Sequence, residues 1–325
     1  MRMIPCGGLL AAVLLAAQAS AAAPLSAERQ RSEARCVAGS GFQLGGGDIA
    51  LSYAPAAFAL GRASICAWAV RAAVAVTTYY GRFPVSQVRV VLKPQDGDGV
   101  RGGTTWGAAD DGKPLIEIRL GRQADTAQLD DDWTLTHEMV HLSIPSVPEQ
   151  SHWLEEGIAT YVEPIARVQT GELDAQRIWA DMLHGMRKGL PRDGDRGLDN
   201  TPTWGRTYWG GALFCLMADV RIRERSGNRK GLQDALRGVL AGGGSIRVDS
   251  SVDYMLGLGD KAVGLPVLSE LYRELGDAPM PASGDLDTLW QRLGVSPDGD
   301  GVRLDDSAPL AAVRRAITAR EPKTS

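Results

Sequence analysis

Two of the four histidines in this 325-residue chain, His137 and His141, stand four positions apart in LTHEMVHLSI, with Glu138 directly after the first. Positions four apart on an α-helix lie one turn apart on the same face, so both imidazoles can be directed at one point. Zinc accepts that arrangement. Glu138 is rotated by about 100° around the same axis, beside the ligand shell instead of in it, where a carboxylate can act as general base toward a metal-activated water. The pattern predicts a zinc-dependent hydrolytic centre with His137 and His141 as metal ligands and Glu138 as the catalytic base.

A catalytic zinc needs a third protein ligand and one open position. Downstream, SIPSVPEQSHWLEEGIATYVEP offers His152, Glu155 and Glu156 on a Pro-broken loop and a helix expected to end at Pro164. Leu154, Ile158 and Tyr161 or Val162 mark the buried side of that helix, which does not separate the adjacent glutamates. Spacing alone leaves Glu155 and Glu156 tied. His184 in ADMLHGMRKG and Arg206 close to Tyr208 could assist an oxyanion or a carboxylate, or stand as plain surface groups.

These residues need elements to hold them. ASICAWAVRAAVAVTTYY, 63–80, is Ala-rich with apolar positions at helical spacing, and GRFP stops it. VSQVRVVL and PLIEIRL alternate as strands do, with KPQDGDGVRGG between them as a turn-rich connection, which predicts a small, antiparallel or mixed sheet. From Asp130 onward DDWTLTHEMVHLSI, WLEEGIATYVE, AQRIWADMLHGM, WGGALFCLMADVRIRERS and LQDALRGVL all read as helices. Asp130, Asp131 and Asp132 are placed to cap the first of these and to complement its dipole. The expected class is α+β, with a helix and sheet lobe over 24–129, a helical catalytic lobe over 130–240 and a helical extension over 241–325. The extension includes LPVLSELYREL and APLAAVRRAITA and carries no chemical constellation.

The hexapeptide DGDGVR occurs at 96–101 and again at 298–303, but neither copy fits a calcium loop: counted from Asp298, the twelfth position is Pro309 where a bidentate glutamate is needed. Both are expected as tight turns. GFQLGGGD and LAGGGS lack the spacing of a phosphate-cradling loop and read as flexible turns.

A net charge of −4, 44% apolar and 23% charged residues describe an ordinary globular chain, without the basic footprint of a nucleic-acid or anionic-membrane partner. The N-terminal MRMIPCGGLLAAVLLAAQASAAAPLS has one arginine, a short apolar run and small residues before Pro24, the layout of a cleavable secretory signal over 1–23. The run is too short for a stable membrane anchor, and Cys6 precedes it, away from any lipidation site after cleavage. Export to the periplasm or beyond is therefore expected. In that oxidising setting Cys36 and Cys66 are the favoured disulfide pair, and Cys215, inside GGALFCLMADV, reads as a buried free thiol.

THEMVH followed by WLEEGIATYVEP resembles the gluzincin zinc metallopeptidases, in particular their aminopeptidase-like branch with its peptidase MA-like domain. In that branch the glutamate immediately before glycine in a W-L-x-E-G helix is the third zinc ligand, which implies Glu156. The stretch joining the two motifs is shorter than in the large aminopeptidases. TYWGGALFCLMADVRIRERSGNRKGLQDAL is similar to the segment of these peptidases, including glycyl aminopeptidases, in which the tyrosine of a Y-x-K-G tetrad stabilises the oxyanion. Tyr208 matches the tyrosine and Gly211 the glycine, while Gly210 stands where lysine is usual. TTYYGRFPVSQVRVVLKP is similar to the helix-to-strand entry of the same superfamily. The resemblance implies a thermolysin-like zincin core with the metal between sheet and helical lobe. The substrate-amine element of the large aminopeptidases, G-A-M-E-N, has no counterpart beyond GGTTWGAAD, whose Gly107 and Ala108 could lie on an edge strand that pairs with a peptide.

The combined expectation is an exported zinc metallopeptidase acting on peptides or proteins, with His137, His141 and Glu156 as ligands, Glu138 as base and Tyr208 at the oxyanion. Its rivals are a catalytically idle zinc- or peptide-binding envelope protein and a zinc hydrolase with a non-peptide substrate.

Overall fold

The computed structural model describes residues 25–279 and 283–320; the expected secretory signal lies outside them. Helix α1 (Leu25–Ala38) leads into strands β1 (Gly41–Leu44) and β2 (Gly47–Ser52). GFQLGGGD is therefore a hairpin, not a flexible turn. Phe42, Leu44, Ile49 and Leu51 alternate inward, and Gly45 and Gly46 make the reversal at φ 57° and 85°, where a side chain would be strained. Helix α2 (Arg62–Tyr80) falls where its sequence predicts and stops at Gly81, whose φ is 78°. Cys66 on α2 is bonded to Cys36 on α1 with their Cα atoms 5.7 Å apart, and Cys215 is buried and free.

Strands β3 (Gln87–Gln95), β4 (Val100–Trp106) and β5 (Leu115–Gly121) complete a five-stranded sheet of order β1-β2-β3-β5-β4. β3 runs parallel to β2 and to β5, whereas β1 and β4 are antiparallel to their neighbours. The sheet is mixed, and the two strands legible in the sequence are a parallel pair. The cause is β4, hidden in the turn-rich connection. The first DGDGVR reverses the chain after β3, with Gly97 and Gly99 at φ 97° and 61°, and β4 then runs on the outside, leaving the slot beside β3 to β5. Gly102 and Gly103 dilute its strand signal.

The remainder is helical: α3 (Thr126–Asp131), α4 (Thr134–His141), α5 (His152–Gln169), α6 (Ala175–Gly185), α7 (Gly211–Ser226), α8 (Leu232–Ala241), α9 (Val252–Val263), α10 (Val267–Leu275), α11 (Ser283–Leu293) and α12 (Ala311–Ile317). Strands β6 (Val295–Asp298) and β7 (Gly301–Leu304) form a separate hairpin turned by the second DGDGVR. Helix α5 does not end at Pro164. A proline inside a helix loses one backbone bond, but Ile165, Ala166 and Val168 are each at most 2% exposed, and their burial carries α5 a further turn. The class is α+β, with a small open sheet beside a larger helical part. Helix α4 packs against α2, α5 and the edge strand β4.

Candidate metal centre

Helix α4 is eight residues long, and most of it is buried. Asp132 anchors its start, its carboxylate accepting hydrogen bonds from the backbone N–H of Thr134 (3.0 Å) and Leu135 (3.2 Å). Asp130 and Asp131 close the preceding α3 instead. Leu135, Met139 and Val140 are fully buried and fix the rotation of α4. That rotation turns His137 and His141 together, with ring centroids 5.0 Å apart.

Helix α5 supplies the third donor. Glu156 Oε2 lies 3.2 Å from Nε2 of His137 and 3.6 Å from Nε2 of His141. The three ligand atoms all fall within 4.8 Å of one another, a group that could hold a metal ion. Donors held at about 2.0–2.1 Å around a tetrahedral zinc are themselves about 3.3–3.4 Å apart, so the Glu156 separations suit such an ion, as does the N, N, O donor set. Glu155, the alternative on sequence spacing, points elsewhere: its Oε1 accepts the Val147 backbone N–H at 2.8 Å.

The electrostatics single out Glu156, while the two imidazoles shift in opposite directions: burial would lower His141 too, but its hydrogen bond to Glu156 and that carboxylate's charge raise it. Burial pushes the Glu156 carboxyl up, but hydrogen bonds with His137, His141 and His152 outweigh it and hold the group well below the usual carboxylate range. Burial lowers His137 from its ordinary value, favouring the neutral imidazole that a metal requires. His152 is an outer partner of the group: its Nε2 is 3.2 Å from the other oxygen of Glu156, and its bonds to Glu155 and Glu156 push it up to about 10.

Glu138 is not one of the three donors and reaches β4. The Thr105 hydroxyl lies 2.6 Å from its Oε2 and 3.0 Å from its backbone carbonyl. Two positions earlier on the same strand, a Cβ added to Gly103 would stand 2.5 Å from the Glu138 side chain, so only glycine lets the strand come this close. The edge strand ends at Trp106. Gly107 and Ala108, expected on it, follow its end, with Gly107 packed against the Ile246 carbonyl.

Tyr208 stands on a π-helical turn, Gly205–Gly210, that runs into α7. Its ring is 6.5 Å from that of His137. Burial, followed by the charges of Glu156 and Glu138, pushes its phenol up to about 12, so it stays a proton-bearing donor. The approach depends on glycines. A Cβ on Gly157 would sit 2.3 Å from the Gly211 Cα, and one on Gly211 would sit 2.3 Å from the Trp153 carbonyl, so α5 and α7 meet backbone to backbone one residue past Glu156. Gly210, which stands where the Y-x-K-G tetrad has lysine, lies against Gly189, whose added Cβ would reach the Gly210 nitrogen at 2.2 Å.

Arg206 is not part of the group. It is buried in an ion pair with Asp195 at 2.9 Å and donates to the Gly189 carbonyl. His184 is exposed at the edge of the cavity beside His137, its Nδ1 2.8 Å from the Ala180 carbonyl. Sequence reasoning gave no role to Thr105 and treated His152 only as a rival ligand. His152 was findable from its place four residues before Glu156 on one helix; Thr105 was not, because its role depends on which strand lies at the edge.

The fold is similar to that of an aminopeptidase N family protein from Idiomarina loihiensis, with a TM-score of 0.57 and 15% identity over 78% of this chain and 48% of the other. An M1 zinc metallopeptidase from Deinococcus radiodurans aligns with a TM-score of 0.46 and 17% identity over 74% of this chain and 50% of that one. The chain thus spans about half the length of these solved structures. No protein-family model matches the sequence, and no curated protein matches it.

Proposed function

We propose that the chain is an exported zinc metallopeptidase of the gluzincin type, in which His137, His141 and Glu156 hold the metal and Glu138 is the general base. The observation that carries the reading is the convergence of those three donors beside a carboxylate that is not one of them. A site serving only to join helices would have no use for Glu138 at its open side. The similarity of fold to the aminopeptidase N family protein supports a zincin core, and the Cys36–Cys66 bond suits an oxidising compartment outside the cytoplasm.

A zinc ion bound here would supply Lewis acidity, bringing the pKa of water toward neutrality and polarising a carbonyl. The protein's own residues divide the remaining work. Glu138, steered by Thr105, takes a proton from the attacking water and returns it to the leaving amine as the C–N bond breaks. Tyr208 donates its phenolic hydrogen to the carbonyl oxygen as that oxygen gains charge. Gly103 keeps β4 against Glu138, so that an extended substrate pairing with this edge strand would lie beside the base.

The test is Glu138→Gln in the mature chain. Zinc content measured by elemental analysis should match the parent, while peptide turnover should fall by about 10²–10⁴-fold, the span usual for loss of a general base. Undiminished turnover would remove Glu138 from the role. A folded, chelator-insensitive chain that takes up no zinc would end the metal reading.

A further inference from the structure

Tyr208 and His137 belong to a longer run of rings. Trp133 meets His137 edge-on at 5.3 Å, and Trp204 lies 5.9 Å from Tyr208. The two outer tryptophans are open to solvent, at 54% and 62% exposure. Water-facing indoles forgo about 25 cal/mol for each Å² of apolar surface left uncovered. Two of them on one cavity, which His137 also lines, mark a surface suited to an apolar occupant. The cavity has a volume of 460 Å³, within the range of about 300–1,000 Å³ usual for ligand sites, and Pro164 and Ile178 add to its apolar wall.

Its charges are largely spoken for. Arg167 donates to Glu163 at 3.0 Å, and Arg177 donates to Asp131 at 2.8 Å and faces Asp181 at 3.9 Å. The acidic groups of the lining are thus already matched by cations, leaving little to attract a basic side chain. Lys188 lies over the rings of Trp204 and Trp209, 5.9 and 5.8 Å from their centroids, and its charge would repel a second cation. An aromatic side chain meets neither objection and gains ring contacts with Trp133, Trp204 and Tyr208.

We infer that this cavity receives a large aromatic side chain adjoining the scissile bond, so that the preferred substrates are peptides carrying Trp, Tyr or Phe there. The inference rests on the peptidase reading above and narrows it from peptides in general to a side-chain class.

The test uses the zinc-loaded Glu138→Gln chain and peptides of one length that differ at a single residue, Trp, Phe, Ala, Glu or Lys, with affinities read by titration calorimetry. A digest of the same peptides by the parent enzyme, mapped by mass spectrometry, locates the cuts. Trp and Phe peptides should bind about tenfold more tightly than the Ala peptide, in line with the 10- to 200-fold discrimination available to an apolar pocket. Lys should bind weakest, and cuts should fall beside the aromatic residue. Trp204→Ala in the same background should reduce the Trp-to-Ala ratio to less than about threefold, and Trp204→Phe should restore most of it. Binding with no aromatic preference, or with Glu bound best, overturns this inference and leaves the peptidase reading standing. A chain that neither binds nor cuts any of the peptides overturns both.

Discussion

The hydroxyl of Thr105, on the edge strand, lies 2.6 Å from Oε2 of Glu138, on the helix that carries both histidines. One short contact therefore sets the direction of the proposed base from a different element than the one that bears it. Thr105→Val keeps the shape and removes the hydrogen bond. It should lower kcat by about tenfold or more, since general-base catalysis worth 10²–10⁴ depends on that geometry, with KM and zinc content close to the parent. Thr105→Ser should recover most of the loss and the parent pH profile. A Val variant with full kcat would show that Glu138 finds its position unaided.

His152 orients the third ligand in a comparable way, its Nε2 lying 3.2 Å from Oε1 of Glu156 while Oε2 faces the other two histidines. Partners of this kind usually contribute 10- to 100-fold in metal affinity. His152→Leu should weaken zinc binding by about that factor in competition with a chromophoric chelator, with little change in melting temperature. An unchanged zinc affinity would reduce His152 to a surface residue.

The contact of Gly157 with Gly211 sets how closely Tyr208 approaches Glu156. Gly157→Ala would press a methyl into the opposite backbone, which cannot swing aside as a side chain can. Overpacking of this sort costs about 1–3 kcal/mol, so thermal unfolding should move clearly downward and turnover should fall with it. Gly257 on α9 is the contrasting case: an added Cβ there meets nothing within 4 Å. Gly257→Ala should stabilise by about 0.5–1 kcal/mol, the usual helix-propensity gain. Equal effects from the two substitutions would contradict the close-contact account.

How much of this was legible in the sequence follows the range of the interactions. The geometry of His137, Glu138 and His141 is fixed within two helical turns, so the five letters HEMVH carry it. Glu155 and Glu156 were tied because the answer depends on the rotation of α5 against α4, which Ile158 and Val162 set only once both helices are packed. The order of β3, β5 and β4 was illegible for the same reason. Alternation reports a strand and a buried face but not its neighbours, and the glycines that let β4 approach Glu138 are the residues that make it read as a turn. Pro164 misled in the opposite direction, since the local penalty is real and the burial that overrides it is not local.

Glu163 offers a test by pH. It lies in the lining of the cavity beside His137, buried, with Arg167 donating to it at 3.0 Å. Burial raises its carboxyl from 4.5 to about 7, against the pull of Arg167 and with help from the charges of Asp132 and Glu172. A folded-state pKa above the unfolded one means that the native chain holds this proton more tightly. The stabilisation is complete below about pH 4.5 and is lost as pH rises through about 7. The difference amounts to something on the order of 3 kcal/mol. Glu163→Gln keeps an acceptor for Arg167 but cannot ionise, and Arg167 retains Glu172 at 3.5 Å and the Asp130 carbonyl at 3.2 Å, so its charge is not stranded. The parent should therefore lose more melting temperature than the variant between pH 5 and pH 8, and the two curves should converge at the acid end. Parallel curves over that interval would mean that Glu163 titrates normally and that the cavity beside His137 is wetter than its packing indicates.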